Sequence, residues 1–195
     1  MPAGSRIDWP RTLAAKGRQP LAREHLRRRR RAEGSAGLHC ILLDCSASML
    51  RGQRLALAKG LLLEWSAASY RKREALAVIA FDGQGARLLQ APRKAQAHNE
   101  GWIAPLAGGG GSPAQAALRL AEEVLSRYRK TCPVQPIALS LLTDARFDPL
   151  PPRPRHADQC TVVDFDDGRP RLERAARLAA DWRAALLRAS DWSAA

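Results

Sequence analysis

Leu38-His39-Cys40-Ile41-Leu42-Leu43-Asp44-Cys45-Ser46-Ala47-Ser48 is the stretch that decides the fold. Its first six residues form an apolar run of the length and composition of a strand buried on both faces. D-x-S-x-S then sets one carboxylate and two hydroxyls at the carboxyl end of that strand. Two further oxygen-bearing positions lie downstream: Ser112, after the glycines 108–111, and Asp144, closing Leu141-Leu142-Thr143-Asp144. Hard oxygen donors arriving from three loops suit Mg²⁺, or a similar divalent ion such as Mn²⁺. Such an ion would bind a carboxylate offered by a partner.

Strand and helix patterns alternate along the chain. Residues 53–71 place Leu55, Ala58, Leu62, Trp65 and Ser69 at helical spacing. Residues 75–81 read as a second buried strand and 86–90 as a short edge strand. Residues 93–104 suit a helix weakly. Residues 113–128 predict a helix with Ala117, Ala121, Val124 and Tyr128 on one face. Ser112 suits its N-cap and Pro113 its first turn, so capping is an alternative role for that serine. Residues 137–142 and 160–165 supply two more strands. Residues 171–188 predict a last helix, with Leu172, Ala175, Ala179, Trp182 and Leu186 as its stripe.

This alternation predicts an α/β fold: a doubly wound, mainly parallel sheet with helices on both faces, Rossmann-like in plan. Sites in such sheets form outside the carboxyl ends of strands, at a topological switch point. The candidate metal residues Asp44, Ser46, Ser48, Ser112 and Asp144 all follow strands or lead into a helix.

At 195 residues with 46% apolar content, one ordinary domain is expected, over 37–195, preceded by a basic arm over 1–36. The net charge of +13 is uneven: residues 1–36 hold ten Arg or Lys against three Asp or Glu, a surplus of seven. Arg27 to Arg31 is an unbroken basic run that suits an acidic protein surface; as an alternative function it could hold nucleic acid, making this a nucleic-acid-associated basic α/β protein. No aromatic residues interleave with it, so base stacking there is unsupported. Neither a membrane-length apolar run nor a signal-peptide core is present, and a cytoplasmic location is expected. Cys40, Cys45, Cys132 and Cys160 show no zinc spacing and are expected to be reduced and mostly buried.

Hydrolytic alternatives fit poorly. A haloacid-dehalogenase phosphatase would need aspartate where Ser46 stands. The glycine run lacks the Gly-Lys-[Ser/Thr] ending of a P-loop, and Pro113 breaks G-x-G-x-x-G. No G-x-S-x-G elbow exists. Asp44 or Cys45 as a nucleophile would lack partner residues, and His25, His39, His98 and His156 sit beside no evident nucleophile.

Asp44-x-Ser46-x-Ser48, Ser112 and Asp144 resemble the metal-ion-dependent adhesion site of von Willebrand factor A domains. The resemblance implies that Ser46, Ser48 and Ser112 bind the metal directly, while Asp44 and Asp144 act through water or as hydrogen-bond acceptors. Two departures are Ser112, where the family commonly has threonine, and Ala145, where glycine often follows the aspartate. More narrowly, Leu106-to-Pro113, Leu141-to-Arg146, Ile7-to-Leu13 and Arg27-to-Arg31 are similar to segments of D-type subunits of magnesium and cobalt chelatases. That resemblance implies a non-catalytic subunit coupling an AAA+ ATPase to a large chelatase subunit that inserts Mg²⁺ into a porphyrin or Co²⁺ into a corrin, cobalamin biosynthesis being the preferred branch. These residues hold no ATPase-like module, which implies a shortened or stand-alone version.

Overall fold

A computed structural model describes residues 12, 16, 17, 20, 22–25, 37–168 and 170–191. The chain divides into two compact units, Met1–Ser35 and Ala36–Ala195. Within the first, a 3₁₀ turn spans Arg23–His25, and the Ala22 N–H donates to His25 Nδ1 at 3.1 Å. The Arg27–Arg31 run and Ile7-Asp8-Trp9-Pro10 lie outside the described residues.

The second unit is built on one six-stranded sheet. Its strands are β1 (Leu38–Asp44), β2 (Ala75–Asp82), β3 (Gly85–Lys94), β4 (Ile137–Thr143), β5 (Gln159–Asp164) and β6 (Ala185–Arg188), in the order β3-β2-β1-β4-β5-β6. All neighbours pair in parallel except β2 and β3, which form an antiparallel hairpin. The helices are α1 (Arg54–Arg71), the single turn α2 (Glu100–Ile103), α3 (Ala114–Thr131) and α4 (Arg174–Trp182).

Burial on both faces explains the continuous apolar runs of the central strands. On one face Cys40, Leu42, Ile79, Phe81, Leu139 and Leu141 pack against α3 and α4. On the other, Ile41, Leu43, Val78, Ala80 and Leu142 pack against α1 and Ile103. Alternate side chains of one strand therefore feed two cores, as the two-residue strand period requires. Trp182 is fully buried, and its indole N–H donates to Pro151 O at 2.9 Å.

Three sequence expectations are corrected. The edge strand is longer than 86–90, because β3 runs to Lys94 and takes over the start of the segment read as a helix; only Glu100–Ile103 is helical there. Pro92, Arg93 and Lys94 are tolerated because an edge strand has one side free of the ladder. The last helix ends at Trp182, where Arg183 adopts a left-handed φ of 50°. The chain then returns as β6, whose Leu186 and Leu187 pair with Val162 and Val163 and cover the open edge of β5. Leu172 lies before the helix and is exposed, so it is no part of the buried stripe of Ala175, Leu178, Ala179 and Trp182.

The order of strands sets the site. From β1 the chain passes through α1 to β2 on one side, whereas α3 leads to β4 on the other. The carboxyl ends of β1 and β4 thus flank the switch point where crevices open in such sheets.

Candidate metal centre

Asp44 ends β1 and is fully buried. Its Oδ1 accepts the Ser46 N–H at 2.9 Å, which turns the chain sharply out of the strand. A 3₁₀ turn follows over Ala47–Leu50, anchored by the buried Met49. The turn brings Ser46 Oγ and Ser48 Oγ to 3.1 Å from one another.

The glycine run delivers the third hydroxyl. Gly109 N–H donates to Cys45 O at 2.8 Å, Ala47 N–H to Gly110 O at 3.0 Å, and Gly83 N–H to Gly109 O at 2.9 Å. Backbones meet so closely here that a Cβ on Gly108 would stand 2.3 Å from Cys45 O, and one on Gly110 2.7 Å from the Gly83 Cα. Gly110 also takes a left-handed φ of 67°, which glycine adopts without steric cost. This lacing carries Ser112 to the end of β1, where its Oγ donates to Asp44 Oδ2 at 3.1 Å. The Ser112 hydroxyl therefore points at the aspartate, while α3 starts at Ala114 with no side-chain cap bond.

Asp144 follows β4 and is buried. Its Oδ1 accepts the Ser48 hydroxyl at 3.0 Å. All five predicted residues thus form one hydrogen-bonded cluster: Ser112 to Asp44, Asp44 to Ser46, Ser46 to Ser48, Ser48 to Asp144. Asp44, Ser46 and Asp144 lie beneath, and the half-buried Ser48 and Ser112 form the mouth.

Three participants were not singled out from sequence. Thr143 Oγ1 donates to Asp44 Oδ2 at 2.6 Å and accepts the Ala145 N–H at 2.9 Å. Ala145 holds a left-handed φ of 52°, the conformation glycine would take freely at this position. Arg54 donates from Nη1 to Asp144 Oδ2 at 3.0 Å and to Ser48 O at 3.2 Å, while Nε and Nη2 hold Asp167 Oδ1. Arg146 sets Nε 3.4 Å from Asp144 Oδ2 and donates from Nη2 to Asp166 Oδ1 at 3.1 Å. Arg54 carried a detectable signal: a cation opening a helix opposes the macrodipole and needs a carboxylate partner.

Burial pushes the Asp44 carboxyl above its ordinary pKa, against the lowering by bonds from Ser46 and Thr143, and the Asp144 charge adds to the rise. Burial alone would lower Arg54, but the bond to Asp167 and the charges of Asp167, Asp144 and Asp166 hold it above its usual value. The Arg54 bond lowers Asp167 in turn. Burial, aided by Asp44 and Asp82, pushes the Cys45 thiol up to about 12, so the adjacent cysteine is no nucleophile at neutral pH.

The donor set fits a hard divalent ion. An octahedral ion with oxygens at about 2.1 Å has neighbouring ligands roughly 3.0 Å apart, and Ser46 Oγ and Ser48 Oγ are separated by 3.1 Å. Among the described residues, no group of three His, Cys, Asp or Glu could hold a metal, which leaves no zinc-type donor set there. No described helix is long and apolar enough to cross a membrane.

Comparison with known proteins agrees with this architecture. The von Willebrand factor type A domain family matches residues 40–146. The 60 kDa magnesium-chelatase subunit of Cereibacter sphaeroides is 33% identical over 159 residues, covering 73% of this chain and 28% of that protein. The chain thus spans little more than a quarter of that relative. The PilB minor pilin of Streptococcus sanguinis, as its D319A mutant, shares the fold with a TM-score of 0.54 at 12% identity, over 80% of this chain and 57% of its own. Proximal thread matrix protein 1 of the mussel byssus also gives 0.54, at 16% identity, over 82% and 44%. The chain belongs to the von Willebrand factor type A domain family, and within it resembles chelatase subunits.

Proposed function

We propose that this chain is a non-catalytic, Mg²⁺-dependent protein-binding subunit of an ATP-dependent metal chelatase, coupling an AAA+ ATPase to the large chelatase subunit. The observation that carries the reading is the meeting of Asp44, Ser46, Ser48, Ser112 and Asp144 at one rim of the sheet. Similarity to the magnesium-chelatase subunit supports the chelatase assignment. Mg²⁺ or Mn²⁺ bound here would supply an electrophilic position open to a carboxylate on the partner.

Ser46, Ser48 and Ser112 would hold the ion through their hydroxyl oxygens. The Ser48 hydroxyl donates to Asp144 and the Ser112 hydroxyl to Asp44, which leaves the lone pairs of both oxygens free for the ion. Thr143 keeps Asp44 from rotating. Neutral ligands leave the ion short of negative charge, so an external Asp or Glu is favoured. The reading covers two branches, magnesium insertion into a porphyrin and cobalt insertion into a corrin. The basic arm would add a salt-sensitive contact to an acidic protein surface.

Binding of the ATPase subunit to the chain should be measured with Mg²⁺, with chelator, and with Asp44→Ala. The reading expects tight binding only in the first case. Equal affinity in all three would overturn it.

A further inference from the structure

Arg54 occupies a costly place. It opens α1, where the helix macrodipole disfavours a cation, and its side chain is only 8% exposed. Its Nη1 nevertheless donates to Asp144 Oδ2, the carboxylate whose other oxygen accepts Ser48. Arg146 stands against the same Oδ2 at 3.4 Å. Two guanidinium groups thus stand against the one carboxylate of Asp144, each held from its other side by a second aspartate, Asp167 for Arg54 and Asp166 for Arg146. A divalent ion entering beside Ser48 therefore meets an Asp144 whose charge is already engaged by two guanidinium groups, in surroundings where charges are weakly screened.

We infer that Arg54 sets the metal affinity of the site: by neutralising Asp144 it keeps the ion loosely held in the free chain, and a partner's carboxylate restores the missing negative charge. This inference rests on the metal-bridge reading of the site. Metal and acidic partner therefore bind cooperatively, each raising the affinity for the other by the same factor. Asp167 moderates the effect. It holds Nε and Nη2 of Arg54 from a largely exposed position and offsets part of the guanidinium charge.

The two ends of the Arg54–Asp167 pair should act in opposite directions, which a merely structural role would not produce. Free Mn²⁺ is read by its EPR signal during titration of the full chain. Arg54→Gln is expected to tighten Mn²⁺ binding by about tenfold or more, and Asp167→Asn to weaken it by about two- to threefold. Added sodium acetate, the probe carboxylate, should raise the affinity of the unsubstituted chain more than that of Arg54→Gln. Unchanged or weaker binding by Arg54→Gln, with Asp44→Ala still abolishing it, would overturn the role of Arg54 and leave the metal site standing. Mn²⁺ binding insensitive to Asp44→Ala would remove the metal reading itself. Should Arg54→Gln fail to fold, the exposed Asp167→Asn carries the test, and unchanged or tighter binding by it overturns the inference.

Discussion

Replacing Thr143 with valine removes one oxygen and keeps the shape. Thr143 is fully buried, donates to Asp44 Oδ2 at 2.6 Å and accepts the Ala145 N–H at 2.9 Å. Valine leaves no cavity, so two polar losses account for the cost. A hydrogen bond to a charged group contributes about 1.5–3 kcal/mol, and an orphaned buried N–H costs about 1–3 kcal/mol. The orphan is Ala145, whose left-handed φ of 52° is already unfavourable for a residue with a Cβ. Thr143→Val should therefore destabilise the domain by about 3–5 kcal/mol. With a urea slope of about 2 kcal/mol/M, the unfolding midpoint should fall by roughly 1.5–2.5 M. Thr143→Ser keeps the hydroxyl and loses a methyl, so about 1 kcal/mol is expected. A valine variant within about 1 kcal/mol of the parent would show that the hydroxyl does not hold Asp44 in place.

Gly108→Ala would drive a Cβ to 2.3 Å from Cys45 O, where only backbone can yield. Thermal melts should show a loss of about 3 kcal/mol or more, while Gly111→Ala, with open space at its Cβ, should melt like the parent. His39, bonded to Ser140 Oγ at 2.9 Å and tilted 40° to the Trp65 ring at 5.4 Å, has its pKa lowered to about 4 by burial and then by the Lys72 charge. The unfolded chain, with histidine near 6.5, binds the proton first. The contribution of neutral His39 is thus complete above about pH 6.5 and is lost as pH falls toward 4, about 3 kcal/mol in all. Urea midpoints across that window should fall less steeply in His39→Leu; parallel curves for the two proteins would contradict the assignment.

What could be read from sequence was what short-range order encodes. D-x-S-x-S after an apolar run puts Asp44, Ser46 and Ser48 on one exit, and the local Asp44–Ser46 turn closes without help from elsewhere. Asp144 was legible for the same reason, as the first polar residue after β4. Thr143 was placed just after the strand over 137–142, and nothing local shows that its hydroxyl reaches a carboxylate on β1. Arg146 was hidden likewise, because its partner Asp166 lies beyond β5. The strand β6 was invisible because Leu186 continues the spacing of the preceding helix, and only the open edge of β5 and the turn at Arg183 redirect it. In β3, exposed Arg and Lys mask the two-residue period, and two register shifts against β2 blur it further.

The account stands on a divalent ion shared by three hydroxyls. Crystals grown with Mn²⁺, whose anomalous scattering marks its position, test this directly. A single strong peak should lie about 2.1–2.2 Å from the Oγ atoms of Ser46, Ser48 and Ser112, and should vanish in Ser46→Ala/Ser48→Ala. A map without density among those oxygens at saturating Mn²⁺, or with the ion held only elsewhere, would contradict it.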